Sequence, residues 1–395
     1  MSEWKEVSLS EMGKTITGKT PSSQYPEDFG DEMPFITPSD SFEKKYINKS
    51  DRFLSRSGSE RLKEKIISPN SIMVTCIGSA MGKVAKNSLS SVTNQQINSI
   101  IVNENFDSDY IYYLLKNNYA VLRNAASGST AIPILNKTDF DNLRFKVELN
   151  LIEQRKMVSI LSTIDDKIEI NNQINQELEA MAKTLYDYWF VQFDFPDQNG
   201  KPYKSSGGKM VYHPELKREI PEGWEVEKLK YFLTIKNGKD HKHLQDGKFA
   251  VYGSGGIMRT VTDYLYSGES ILFPRKGTLN NVMYVNEKFW TVDTMFYSEV
   301  NKNNSALYVF YSVKDIDFNK LNTGTGVPSM TSSILYDLSI IVPEDNILEK
   351  FNTVVKRNYE TIKLNNIQNQ ELIQLRDWLL PILMNGQVKV QDFTI

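Results

Sequence analysis

Residues 13–20, Gly13-Lys14-Thr15-Ile16-Thr17-Gly18-Lys19-Thr20, spell the pattern G-x-x-x-x-G-K-[ST] letter for letter. A phosphate loop of that kind needs a buried strand before it and a helix after it, so that backbone N–H groups and the helix N-terminus face the phosphates. Neither is expected here, because the preceding residues are polar and Pro21-Ser22-Ser23 breaks any helix. A second copy, Gly238-Lys239, lies 220 residues on and has Leu233 where Gly13 stands, so the shared feature is a Gly-Lys turn. Other chemistries fare no better. His241 and His243 alternate as strand residues do, His213 stands alone, and no third zinc ligand accompanies them. Gly253-Ser254-Gly255-Gly256 lacks the strand and helix that a dinucleotide site requires. No Ser nucleophile elbow occurs, nor any Asn-Pro-Pro-aromatic or Asp-Pro-Pro-aromatic run of an amino-methyltransferase. The chain reads as a binder without catalytic, metal or cofactor residues of its own.

What it could bind follows from local charge. The net charge of −3 argues against a general polyanion binder, but residues 44–86 hold ten Lys or Arg against three Asp or Glu, and residues 228–288 hold ten against five. Residues 151–195 hold four against eight. Lys and Arg serve phosphates, whereas Arg, Asn and Gln pair bidentately with base edges. Lys83 and Lys86 follow a turn at Gly78, and Arg275, Lys276, Asn280 and Asn281 surround a matching turn at Gly277. Asn94-Gln95-Gln96 adds three amides, and Lys19, Lys239 and Lys242 complete the candidate set for DNA contact. Any one of them alone is ordinary solvated surface. Their recurrence at corresponding places in two segments is what singles them out.

The elements that must position these residues form an internal repeat. Asn175-Gln176-Glu177-Leu178 returns as Asn369-Gln370-Glu371-Leu372, a shift of 194 that also pairs Leu161 with Val355, Ile170 with Leu364, Asn171 with Asn365 and Met181 with Leu375. Upstream, Trp4 matches Trp224 at 220 and Ser71-Ile72-Met73-Val74 matches Ser270-Ile271-Leu272-Phe273 at 199. Each repeat reads as mixed: short strands such as 71–77, 97–102 and 282–285, then a helix over 110–115 capped by Asp107 or Ser108, with 307–313 as its counterpart. A Gly/Ser/Thr loop follows (127–130, and 323–326), then a Pro, a strand and a long helix. The first long helix, 151–190, places Leu161, Ile164, Ile168, Asn171, Asn175, Leu178, Ala182, Leu185 and Trp189 at alternating three- and four-residue steps, a coiled-coil seam. The second runs from about Ile347 to Leu380, where Pro381 is expected to end it. Asn171, Asn175, Asn365 and Asn369 interrupt the seams and are candidates for setting helix-pair register. Residues 196–220, rich in Gly, Lys, Pro and Ser, read as a tether or surface loop. The fold class is therefore α+β, with two mixed modules and a long helical coiled coil.

No apolar run long enough to span a bilayer and no signal peptide is visible, and the single Cys76 calls for no oxidising compartment, so a cytoplasmic protein is the expectation.

This arrangement resembles the specificity subunit of type I restriction-modification systems. The resemblance rests on Asn172-Gln173-Ile174-Asn175-Gln176-Glu177-Leu178-Glu179-Ala180-Met181-Ala182, on Leu185-Tyr186-Asp187-Tyr188-Trp189-Phe190-Val191-Gln192-Phe193-Asp194-Phe195, on Pro221-Glu222-Gly223-Trp224, and on residues 375–388. It implies two target-recognition domains, at 1–150 and 221–345, conserved helices at 151–195 and 346–395 that pack antiparallel with pseudo-two-fold symmetry, and a linker at 196–220. It further implies a non-enzymatic subunit that binds double-stranded DNA with a bipartite target and directs two methyltransferase subunits to it, with restriction subunits in the larger complex. S-adenosylmethionine, ATP and Mg2+ would belong to those partners. Two rival readings are a coiled-coil assembly protein with two protein-binding domains and a stand-alone modular DNA methyltransferase, the latter opposed by the missing catalytic motif.

Overall fold

A computed structural model describes residues 3–125, 134–322, 324, 326–388 and 390. The expected loop at 127–130 with Pro133, and Thr323 and Thr325 of its counterpart, lie outside the described residues. The chain forms two compact units, one of Met1–Asn171 with Asn366–Ile395 and one of Asn172–Asn365. The division cuts both long helices, so each unit owns part of each.

The first unit is built on an antiparallel-rich sheet of β1 (Gly13–Thr17), β2 (Tyr46–Ile47), β3 (Ile72–Thr75), β4 (Val84–Asn87) and β5 (Ile97–Val102), in the order β1-β5-β3-β4-β2. The segment that mimics a phosphate loop is thus a sheet strand. A second sheet of short strands, among them Met33–Ile36 paired in parallel with Ser91–Thr93, lies in the same unit. Helix α1 (Ser108–Asn117) starts at Asp107, whose carboxylate accepts the N–H groups of Asp109 and Tyr110. Residues Tyr110 to Leu115 are all buried, because the sheet takes one side of this helix and the long helix α2 (Leu151–Tyr186) takes the other.

The second unit carries β6 (Leu233–Asn237), β7 (Asp246–Gly253), β8 (Gly256–Val261), β9 (Tyr266–Pro274), β10 (Met283–Thr291) and β11 (Met295–Val300), in the order β6-β11-β9-β10-β7-β8. Helices α3 (Ala306–Lys314) and α4 (Asp345–Met384) follow. Its register repeats that of the first unit. Thr17 faces Asn98 and Ile97 faces Thr75, while Asn237 faces Phe296 and Met295 faces Pro274. The shifts, 237 − 17 = 220, 296 − 98 = 198 and 274 − 75 = 199, show a common frame with unequal loops.

In each unit α2 and α4 run antiparallel. In the first, Arg376 reaches Asp165 at 2.8 Å, and the Asn171 amide donates to Asn369 Oδ1 at 2.9 Å and Gln368 Oε1 at 2.8 Å. In the second, Asn365 donates to Asn175 Oδ1 at 2.8 Å, and Asn358 meets the Leu178 carbonyl. The expected seam is the buried one: Leu161, Ile164, Asn171, Asn175 and Ala182 are all covered.

Two local expectations change. Pro381 does not end α4, which runs on to Met384. Pro381 sits on the exposed face, while Leu380, Leu383 and Met384 bury into the first unit's core and hold the last turn. The stop lies at Gly386, in a left-handed conformation (φ +66°), with its N–H on Leu383 and the Gln387 N–H on Ile382 in a Schellman arrangement. The stretch 196–220, expected as a tether or surface loop, lies largely at the surface and carries a hairpin. Met210–His213 pairs with Arg218–Pro221, and Phe195 stacks on Trp224 and Tyr203 at ring separations of 4.8 and 4.7 Å. Its Gly/Ser composition looks loop-like, but the aromatic anchors supply enough burial to order it. Among the described residues no helix is long and apolar enough to cross a membrane.

An ion cluster fastens the first unit's sheet to α1 and α2. Lys86, on β4, is 1% exposed and bonds Asp109 and Ser108; Lys45 bonds Asp109 and Ser162 of α2, each at 2.9 Å. Burial raises the Asp109 carboxyl, but Lys86 and Lys45 outweigh it and hold it below the ordinary carboxylate range. Its ionised form therefore contributes stability above the unfolded value of about 3.9, and that contribution is lost as pH falls through the lower folded value. Asp109→Asn is expected to cost about 3 kcal/mol at pH 7. In thermal melts between pH 3 and 7 the variant should show a flatter acid limb than the parent.

Candidate nucleic-acid interface

The Gly-Lys turns close the same backbone junction in both units. Gly18 N–H donates to the Ile97 carbonyl at 3.1 Å and Lys19 N–H to Thr93 at 2.8 Å; Gly238 donates to Met295 and Lys239 to Thr291, both at 2.9 Å. Asn94 N–H reaches Ile36 as Val292 N–H reaches Tyr252, and Cys76 N–H reaches Gln96 as Arg275 N–H reaches Thr294. Leu135 N–H meets the Cys76 carbonyl as Met330 N–H meets that of Arg275. Each unit thus gathers a Gly-Lys turn, a three-residue turn (94–96, or 292–294), a glycine turn and a returning loop at one end of its sheet.

Glycine is required at the centre. A Cβ on Gly18 would lie 2.1 Å from the Asn94 oxygen, and one on Gly238 2.0 Å from the Val292 oxygen. Gly78 and Gly277 hold φ of +79° and +91°, the left-handed region that disfavours side chains. The lysines that follow Gly18 and Gly238 are consequently thrown outward. Lys19, Lys239, Lys242, Arg275 and Lys276 are exposed, and none is in an ion pair among the described residues. Around Arg275 and Lys276 opens a cleft of about 240 Å³, lined also by Asn237, Phe296, Ser329 and Met330. Exposed cations beside backbone-fixed turns suit phosphate contact and, for Arg275, whose guanidinium lies over the Phe296 ring at 5.8 Å, bidentate contact with a guanine edge.

The profile of a family described as the type I restriction modification DNA specificity domain matches residues 1–180 and 221–374. The chain belongs to this family. As a specificity-domain protein it is similar along nearly its whole length to the type I restriction enzyme MjaIX specificity subunit of Methanocaldococcus jannaschii, with 29% identity covering 99% of this chain and 94% of that one. The HindI specificity subunit of Haemophilus influenzae is 35% identical over 46% of this chain and 40% of its own. The crystal structure of a type I restriction-modification S subunit from M. genitalium covers 100% of this chain and 97% of its own at a TM-score of 0.61 and 17% identity, a likeness of fold.

Within this specificity-domain fold the candidate residues separate. Lys86 is a correction: a basic segment suggested DNA contact, but its ammonium is buried against Asp109 and reaches no surface. Much of the charge of segment 44–86 is answered by carboxylates outside it, through Lys44 with Glu169, Lys45 with Asp109, Arg61 with Asp28 and Lys83 with Glu43. Lys83 stays partly exposed at the Gly78 turn. Asn94 is nearly buried and turns inward, its side chain bonded to Gln96, while Gln95 is exposed and accepts the Thr20 hydroxyl at 2.6 Å. Asn280 donates to Asp317 at 3.1 Å, and Asn281 donates to the Ser254 carbonyl at 2.8 Å, where it fastens the β7–β8 turn.

Other residues at the junction escaped sequence reasoning. The counterpart of Asn94-Gln95-Gln96 is Val292-Asp293-Thr294, and the loop after Ile36, with Thr37 and Ser39, occupies the place of the β7–β8 turn after Tyr252. The shift of 198 between Thr93 and Thr291 was the available signal. Counterion release gives a direct check. Lys239→Ala and Lys276→Ala are each expected to lower the log–log salt slope of DNA binding by about one, while Lys86→Met loses stability and leaves that slope unchanged.

Proposed function

We propose that the chain is the sequence-specific DNA-recognition subunit of a type I restriction-modification complex, with each unit reading one half of a bipartite target. The observation that carries this reading is the junction built twice: one hydrogen-bond frame in two units, presenting different side chains. A duplicated frame suits two half-sites, and divergent side chains suit halves of different sequence. Lys19, Lys83 and Gln95 in the first unit, and Lys239, Lys242, Arg275 and Lys276 in the second, are the proposed DNA contacts. Asn94, Gln96, Asn280 and Asn281 shape the loops that carry them. The chain is the non-catalytic recognition component. Its reading assigns S-adenosylmethionine, ATP and Mg2+ to the methyltransferase and restriction subunits it would serve in the cytoplasm.

Docking of two methyltransferase subunits is supported by the long helices. Ile170 and Leu364, and Met181 and Leu375, are pairs related by the 194-residue shift, and all four side chains are exposed. Apolar side chains left outside the seam at equivalent positions suit two copies of one partner.

The paired Asn residues are proposed to set the register on which half-site spacing depends. With Asn171, Asn175, Asn365 and Asn369 all changed to Leu, the helices keep their affinity but lose the polar discrimination between registers. Sequencing of methylated DNA is then expected to show altered or mixed spacing, and an unchanged spacer would remove the register role. Exchange of residues 1–150 for another domain of the family should change one half of the methylated motif. A change in both halves would sink the modular reading.

A further inference from the structure

The β7–β8 hairpin is the edge ribbon of the second unit's sheet, and its tip lies at the junction. Gly253 pairs with Gly256 across the turn, and a register shift after Val251 leaves Met258 as the extra residue of a bulge, opposite no partner. Asn281 holds the tip through the Ser254 carbonyl, and the glycine turn at Gly277 approaches so closely that a Cβ there would lie 2.9 Å from Ser254 Oγ. The two residues that follow the turn are Ile257 and Met258, 63% and 60% exposed. Val327, 62% exposed, stands beside Pro328, whose carbonyl accepts the Gly277 N–H. Exposed apolar side chains thus ring a turn whose neighbours, Arg275 and Lys276, are exposed cations with no ion-pair partner among the described residues.

Scattered surface apolars need no explanation, but these sit where a nucleic acid would press. The equivalent loop of the first unit, after Ile36, carries Thr37, Pro38 and Ser39 instead. The frame is common to both units and the tip differs in polarity, as expected where discrimination is made. A two-stranded ribbon fits the DNA major groove, and the one apolar group on the base edges there is the thymine 5-methyl.

Resting on the DNA-recognition reading, we propose that Ile257 and Met258 are specificity-determining residues that contact a thymine methyl in the half-site read by the second unit. The lysines and Arg275 hold the backbone and purine edges around the ribbon, and the bulged Met258 supplies a flexible surface that closes over the methyl without a hydrogen bond.

The test uses the full chain assembled with its methyltransferase subunits. The methylated motif is determined first, and its halves are assigned to units by exchange of residues 221–345. Each thymine of the second unit's half-site is then replaced singly by deoxyuridine, which removes the methyl alone, and duplex binding is measured. The parent complex is expected to weaken about three- to fivefold at one or two thymines, the worth of one buried methyl. A complex carrying Ile257→Ser and Met258→Ser should bind more weakly at the outset and be indifferent to those same replacements. The proposal is overturned if no thymine matters to the parent, if the double variant stays as sensitive, or if the half-site holds no A·T pair. It is overturned equally if 2-aminopurine fluorescence shows the side chains inserted between base steps with no dependence on the methyl. A parent complex that methylates no defined motif would instead bring down the DNA-recognition reading itself.

Discussion

A carboxamide N–H buried in an apolar seam must find an acceptor, and that requirement disciplines both halves of this protein. Asn171 is 1% exposed, and its amide donates to Asn369 and Gln368; Asn175 accepts from Asn365. A buried polar group left unpaired costs about 1–3 kcal/mol. A one-turn slip of α4 along α2 would therefore be opposed in each unit by lost hydrogen bonds, whereas an all-leucine seam would oppose it only through packing. The pairing also explains why each unit needs a piece of both helices. The first is completed by residues 366–395, which bring Leu380, Leu383 and Met384 into a core formed otherwise by residues of the first half of the chain.

On that base the two units keep one frame and spend their side chains differently. Where the fourth strand of each sheet meets the helices, the first unit uses Lys86 and Asp109. The second uses Tyr284, paired with Ile271 as Lys86 is paired with Ile72, with its hydroxyl on Glu269 and its ring edge-on to Tyr359 at 4.6 Å. A buried ion pair and a tyrosine-carboxylate contact fill one structural place. The backbone junctions, in contrast, agree hydrogen bond by hydrogen bond, since a changed main-chain pairing would disturb the whole sheet whereas a changed side chain disturbs only its pocket.

The same contrast separates structural cations from available ones. In the first unit much of the basic excess is answered by nearby carboxylates, several of them on α1 and α2, and so contributes cohesion. In the second, Lys239 and Lys242 follow the Gly238 turn and Arg275 and Lys276 precede the Gly277 turn, and all four are exposed.

The amino-acid sequence by itself determined the duplication, the seam of the helices, the Asn positions within it, the glycine turns and the absence of a real phosphate loop. These are properties of spacing and local conformation, carried by residues such as Gly18, Asn171 and Asp107 wherever the chain goes. Tertiary structure decided which cations face water, that residues 196–220 fold through Phe195 and Trp224, that α4 continues past Pro381, and that the β7–β8 tip joins Gly277 and Arg275. Each of those depends on what packs against a residue from far along the chain, as Lys86 shows: its charge was plain in the sequence, and only the fold brought Asp109 to it.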